Sequence, residues 1–103
     1  MPPEPQNRSL VAYVYLLRCA DGTLYCGWTT DVAQRVARHG TGRASRYTAS
    51  RLPVALAAAW EVPTRTDARR LEARVKRLTR RQKLALLAGE PPLGAVRFSL
   101  PAV

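Results

Sequence analysis

Residues 13–27 read YVYLLRCADGTLYCG, two apolar runs joined at Asp21-Gly22. Asp-Gly between runs rich in Val, Tyr and Leu is a strong short-range signal for a β-hairpin, because glycine takes the positive φ such turns need. The first run, Val11 to Arg18, is apolar on both faces and reads as a central strand; the second runs from Thr23 to Trp28. A two-residue turn would set Tyr25 across from Arg18 and send Tyr15 and Tyr25 to opposite faces. A three-residue loop Ala20-Asp21-Gly22, a type I turn with Gly22 left-handed, would set Tyr25 across from Leu17 and leave both phenols on one face. Asp-Gly serves both loops, so both registers stay open. The second register also separates Cys19 and Cys26 onto opposite faces, which argues against a disulfide.

After the hairpin, Thr29, Thr30 and Asp31 offer N-caps for a helix over VAQRVARH, ended by Gly40 and Gly42. TGRASRYTASRLP reads as a basic loop closed by Pro53, and Val54 to Val62 as a third strand. Thr66-Asp67 starts a second helix through ARRLEARVKRL, with Ala68, Leu71, Val75 and Leu78 as its apolar stripe. Thr79 and Gln82 have capping-box spacing and start a third helix, RRQKLALL, that stops at Gly89. The order is strand, strand, helix, strand, helix, helix (β-β-α-β-α-α), a small α+β domain over residues 11–89. Residues 1–10 read as a Pro-rich flexible tail, and residues 90–103 carry no clear period and are unassigned.

At 103 residues the chain is long enough for one core, not two, and its 47% hydrophobic content is that of a globular protein. No apolar run approaches the ~20 residues of a membrane span, and the first residues lack a secretory signal, so the expected address is the cytoplasm. Seventeen Lys and Arg stand against seven acids, a net charge of +10, which attracts polyanions, nucleic acid first. Only Lys76 and Lys83 are lysines. Codon bias accounts for arginine replacing lysine, but not for the excess of bases over acids. With two cysteines and one histidine, His39, one chain cannot close a four-ligand zinc site; Cys19 and Cys26 read as buried thiols.

Three further residues invite chemistry. Arg35 and His39, four apart, lie along one helical stripe at the edge of the face that carries Val32 and Val36. The plain alternative is a solvated basic stripe with His39 near the helix C-terminus, where a cation suits the dipole. Glu72 lies beside the apolar stripe of the second helix, among Arg69, Arg70, Arg74, Lys76 and Arg77. It is either a surface partner of Lys76 or a carboxylate ligand for a divalent cation, since Mg²⁺ often needs only one or two protein carboxylates.

Together these residues resemble the GIY-YIG nuclease family. Tyr13-Val14-Tyr15 stands for Gly-Ile-Tyr and Tyr25-Cys26-Gly27 for Tyr-Ile-Gly; Arg35, His39 and Glu72 follow in the family's order. The GRASRYTASRLPV loop and the LEARVKRLTRRQKLALL ending resemble most closely the small stand-alone bacterial YhbQ-like subgroup. The resemblance implies a small three-stranded antiparallel sheet flanked by helices, and hydrolysis of a nucleic-acid phosphodiester with one Mg²⁺ or Mn²⁺. Tyr25 would activate or orient water, and Tyr15 would support it by hydrogen bonding. Arg35 would stabilise the charge developing on phosphorus, His39 would orient or relay a proton, and Glu72 would hold the metal. Three positions depart from the pattern: Tyr13 in place of glycine, Trp28 directly after Gly27, and no asparagine beyond the glutamate helix, Asn7 being the only one.

The leading expectation is thus a monomeric, metal-dependent endonuclease acting on DNA rather than RNA, selective for structure rather than sequence, with a place in repair or processing. Arg43, Arg46, Arg51 and Lys76 would contact phosphates and Tyr47 would stack on a base. A nucleic-acid-binding accessory protein with feeble catalysis is the alternative, and a protein-interaction domain with an acidic partner the third.

Overall fold

A computed structural model describes residues 11–89, 91–92 and 94–100. The tail expected over residues 1–10 lies outside them. Four strands, β1 (Ala12–Arg18), β2 (Leu24–Thr29), β3 (Ala55–Val62) and β4 (Val96–Phe98), form one antiparallel sheet in the order β2-β1-β3-β4. Four helices complete the domain: α1 (Val32–Gly40), α2 (Arg46–Ala49), α3 (Arg65–Lys76) and α4 (Arg80–Ala88). The fold is α+β as the sequence indicates, but the three-strand count is corrected to four. The added strand, β4, is a three-residue VRF in the segment that had no assignment, too short to show a period of two.

The three-residue hairpin loop is the one formed. The Gly22 amide donates to the Cys19 carbonyl at 2.9 Å, and Gly22 is left-handed at φ 84°. Leu17 then pairs with Tyr25 and Tyr15 with Gly27, so both phenols emerge on one face. Cys19 and Cys26 are both buried and free.

Each sheet face carries its own core. On one side Val14, Leu16, Cys26, Trp60 and Val62 pack with Ala68, Leu71 and Val75 of α3, and with Leu78, Leu86 and Leu87 of the α3–α4 region at the margin. On the other, Tyr15, Leu17 and Ala59 pack with Val32 of α1, flanked by Val36, Phe98 and Leu100. Helix starts follow local chemistry. The Asp31 carboxylate accepts from the Gln34 amide, the Thr64 hydroxyl from Asp67, and Thr79 and Gln82 close the expected capping box. α3 therefore begins two residues earlier than Thr66-Asp67 suggests.

The loop after α1 is not wholly irregular. Ser45 caps the short helix α2 by accepting from the Thr48 amide. This turn brings Thr48, fully buried, under the end of α1.

Candidate active site

Tyr15 is central to β1, and its ring crosses over Gly27 of the neighbouring strand. A β-carbon at Gly27 would stand 2.6 Å from the Tyr15 Cζ, so only glycine leaves the phenol its place. The Tyr15 hydroxyl lies 2.9 Å from His39 Nε2, and His39 Nδ1 lies 2.8 Å from the Thr48 hydroxyl. Tyr15 and His39 are each 1% exposed. His39 is therefore no part of a solvated stripe; α1 turns it inward over the sheet while Arg35, one turn earlier, stays half-buried.

Burial pushes the Tyr15 phenol up to about 12, with the nearby Arg35 guanidinium opposing the shift. Burial, assisted by the Arg35 charge, holds His39 below the usual imidazole value. Near neutral pH the pair is thus an intact phenol against a neutral imidazole.

Tyr25, half-buried, completes the cluster. Its ring meets His39 edge-on at 5.2 Å between centroids and lies 5.6 Å from the Tyr47 ring. The Arg51 guanidinium covers Tyr47 at 3.7 Å. Arg51 also donates to the Asp21 carboxylate at 3.0 Å and to the Tyr47 carbonyl at 2.9 Å. Asp21 is held below the usual carboxylate range by the Thr23 hydroxyl and amide first, and by Arg51 after them. Two residues expected to meet nucleic acid, Tyr47 and Arg51, are thus occupied with one another and with the hairpin turn, although Tyr47 keeps 38% of its surface exposed. Arg43 and Arg46 are exposed.

Glu72 is placed differently. α3 packs on the reverse face of the sheet, where the Glu72 carboxylate is near enough to Cys26 to add to the burial that pushes that thiol up to about 12. The Glu72 side chain is 19% exposed and pairs with Lys76 at 3.4 Å. Tyr25 and Glu72 are separated by β2, a strand with a hydrogen-bonded neighbour on one side only. Groups on the two faces can meet a common ligand only around that open edge.

The edge has cations along it. At one end Trp28, Thr29, Thr30, Arg35 and Arg65 line a hollow of about 280 Å³, with the Arg69 guanidinium 5.4 Å from the Trp28 ring. At the other, Thr23, Leu24, Tyr47, Arg80 and Lys83 line one of about 190 Å³, Arg80 also donating to the Gly22 carbonyl. Arg65, Arg69, Arg80 and Lys83 were not assigned a role from the sequence, where nothing marks them apart from the other basic residues until β2 is known to be an edge. A larger cavity, about 640 Å³ against Val62, Asp67, Arg70 and Arg74, includes none of the phenol cluster.

Among the described residues no three His, Cys, Asp or Glu side chains gather as a ready-made metal cage. The donor chemistry would suit an ion such as Mg²⁺, for which the single carboxylate of Glu72 would serve together with water and substrate phosphate.

Two phenols and an arginine gather around the buried His39, with the Tyr15 ring over the edge-strand Gly27. Residues 11–85 match the family model described as the GIY-YIG catalytic domain, and the chain belongs to the GIY-YIG family. Within it, the chain is 51% identical over 78 residues to a UPF0213 protein of Nitratidesulfovibrio vulgaris, covering 76% of this chain and 71% of that one. It is 46% identical over 89 residues to the UPF0213 protein BH0048 of Halalkalibacterium halodurans, covering 84% and 95%. The solution NMR structure of BH0048, from Bacillus halodurans, superposes with a TM-score of 0.51 at 43% identity, covering 77% of this chain and 84% of that one. No helix among the described residues is long and apolar enough to cross a membrane.

Proposed function

We propose that this protein is a divalent-metal-dependent endonuclease that hydrolyses DNA phosphodiester bonds, choosing its target by nucleic-acid shape rather than sequence, in repair or processing of cytoplasmic DNA. The observation that carries this reading is the convergence of Tyr15, Tyr25, Arg35 and His39 beside an open strand edge flanked by Arg65, Arg80 and Lys83.

The backbone of the substrate lies along the β2 edge, its phosphates against the cations at either end. Arg35, a fixed planar cation facing the Tyr15 hydroxyl, stabilises the charge that develops on the phosphoryl oxygens. Tyr15, with a pKa near 12, stays protonated and works as a hydrogen-bond partner, not as a base. His39 is sealed from solvent and orients that phenol. Tyr25, less buried, is left to orient the attacking water. Glu72 is the residue that would hold the metal, which when bound supplies Lewis-acid charge and an acidified water.

The test is cleavage of plasmid and branched DNA with Mg²⁺ or Mn²⁺ by wild type, Glu72→Ala and Tyr25→Phe. The two variants should lose cleavage while binding persists; equal cleavage by all three refutes the assignment. The position of Glu72, across β2 and paired with Lys76, favours one second reading: a nucleic-acid-binding accessory protein of the same fold. That reading predicts salt-sensitive binding with no turnover in any of the three proteins.

A further inference from the structure

Beside the four residues of the cluster lies a fifth polar group that the family pattern quoted above does not include. Thr48 has no exposed surface, and its hydroxyl lies 2.8 Å from His39 Nδ1. The same hydroxyl donates to the Ser45 carbonyl at 3.4 Å and lies 3.0 Å from the Ser45 hydroxyl. A chain of polar groups thus runs from half-buried Ser45 through the buried Thr48 and His39 to Tyr15.

Donor bookkeeping decides its direction. The groups facing the His39 ring are Tyr15 from β1, Tyr25 from β2, Arg35 from α1 itself and Thr48 from α2. The Tyr15 hydroxyl is buried, so its phenolic proton needs an acceptor. The nearest is His39 Nε2, at 2.9 Å. Nε2 must therefore be bare and Nδ1 protonated, and Nδ1–H must have an acceptor. The Thr48 oxygen is that acceptor, with its own proton directed to Ser45. The opposite tautomer would put N–H and O–H against each other at Tyr15 and leave a buried donor unmatched, at a cost of about 1–3 kcal/mol.

We infer that Thr48 is a positioning residue: by accepting from Nδ1–H it locks His39 in the tautomer whose Nε2 receives the Tyr15 hydroxyl, which fixes the orientation of that hydroxyl. This deepens the nuclease reading and rests on it for its catalytic meaning. The tautomer itself does not.

Because His39 is the only histidine, imidazole ¹⁵N NMR reports it without ambiguity. The wild type should show protonated Nδ1 and bare Nε2. Thr48→Val, close in shape, should lose that preference, and Thr48→Ser should restore it. Cleavage should fall by about tenfold or more in Thr48→Val, as when an outer hydrogen-bond partner of a functional histidine is removed, and return in Thr48→Ser. A wild type with protonated Nε2, or a folded Thr48→Val with unchanged tautomer, overturns the inference. Should Thr48→Val fail to fold, the wild-type and Thr48→Ser spectra still decide, since both must show protonated Nδ1. The tautomer shift without cleavage by any protein would refute the nuclease reading and leave the role of Thr48 standing.

Discussion

Alanine at Gly27 is the most discriminating single change. The Gly27 backbone is not left-handed, the positive-φ glycines among the described residues being Gly22, Gly42 and Gly94. Replacing glycine by alanine at such a position ordinarily stabilises a protein by about 0.4–1 kcal/mol, through the unfolded chain. The structure reverses that sign. The new methyl would stand 2.6 Å from Tyr15 Cζ and 3.1 Å from Cε2. Carbon atoms rest at about 3.5–4.0 Å, so the ring must retreat by roughly 1 Å. Tyr15 is 1% exposed, and its hydroxyl is committed to His39. Overpacking of this kind costs about 1–3 kcal/mol, and misaligning the hydrogen bond adds about 1 kcal/mol. In a domain of this size each 1 kcal/mol lowers Tm by about 4–8 °C, well within the reach of thermal unfolding followed by circular dichroism. The control is Tyr15→Leu, which lacks the outer half of the ring. In that background alanine at Gly27 should be neutral or slightly stabilising, and the double-mutant cycle should show the coupling. An increase in Tm for Gly27→Ala in the wild-type background would mean that the phenol does not lie over Gly27, and the site described here would be wrong.

Three further outcomes are expected. His39 has a folded pKa below its unfolded value, so its contribution to stability is complete above about pH 6.5 and declines as pH falls from there toward the folded pKa; His39→Gln should remove that slope in denaturant titrations, and an unchanged slope refutes the burial assignment. Tyr15 has a folded pKa of about 12, above its unfolded value, so its contribution is complete below about pH 10 and lost as pH rises through about 12; ultraviolet titration should show a phenol resisting ionisation until then, and Tyr15→Phe should abolish that step. Arg65→Ala or Lys83→Ala should each reduce the slope of log K against log salt for DNA binding by about 0.7–0.9, whereas Arg51→Ala should leave the slope alone and lower stability instead; a slope lowered by Arg51→Ala would show that its pairing with Asp21 does not withhold it from phosphate.

Much of this was legible from local chemistry. The strand β1 is apolar on both faces because it is central, the caps at Asp31 and Thr79 stand where side-chain oxygens allow, and α3 buries the stripe at Ala68, Leu71 and Val75. The hairpin register was reduced to two possibilities but not one, because Asp-Gly suits both loops; Gly22 at φ 84° selects the three-residue form. Helical spacing leaves His39 open between a solvated cation and a group reaching over the sheet, since it shows which stripe a residue lies on but not that a loop 9 residues later supplies a buried hydroxyl. A signal existed in Ser45-x-x-Thr48, a spacing that caps a helical turn, hidden among the arginines of a segment read as a basic loop. The reach of Arg51 to Asp21, 30 residues away, had no local trace. Glu72 illustrates the same limit: periodicity fixes it beside the apolar stripe, while which sheet face that stripe covers is a matter of chain crossing.

The short strand β4 bears on where this domain can be divided. The family match ends at residue 85, and a polypeptide trimmed to it would lack Val96–Phe98. Strand β3 would then present bare amides and carbonyls at Ala59, Trp60 and Glu61, a template for pairing with another molecule. It would also lose Phe98, whose ring rests 4.7 Å from that of Tyr13 and helps wall the core around Tyr15. The minimal unit worth preparing as a solution sample therefore extends at least to Leu100, because Val96–Phe98 insulates the edge of the sheet opposite β2.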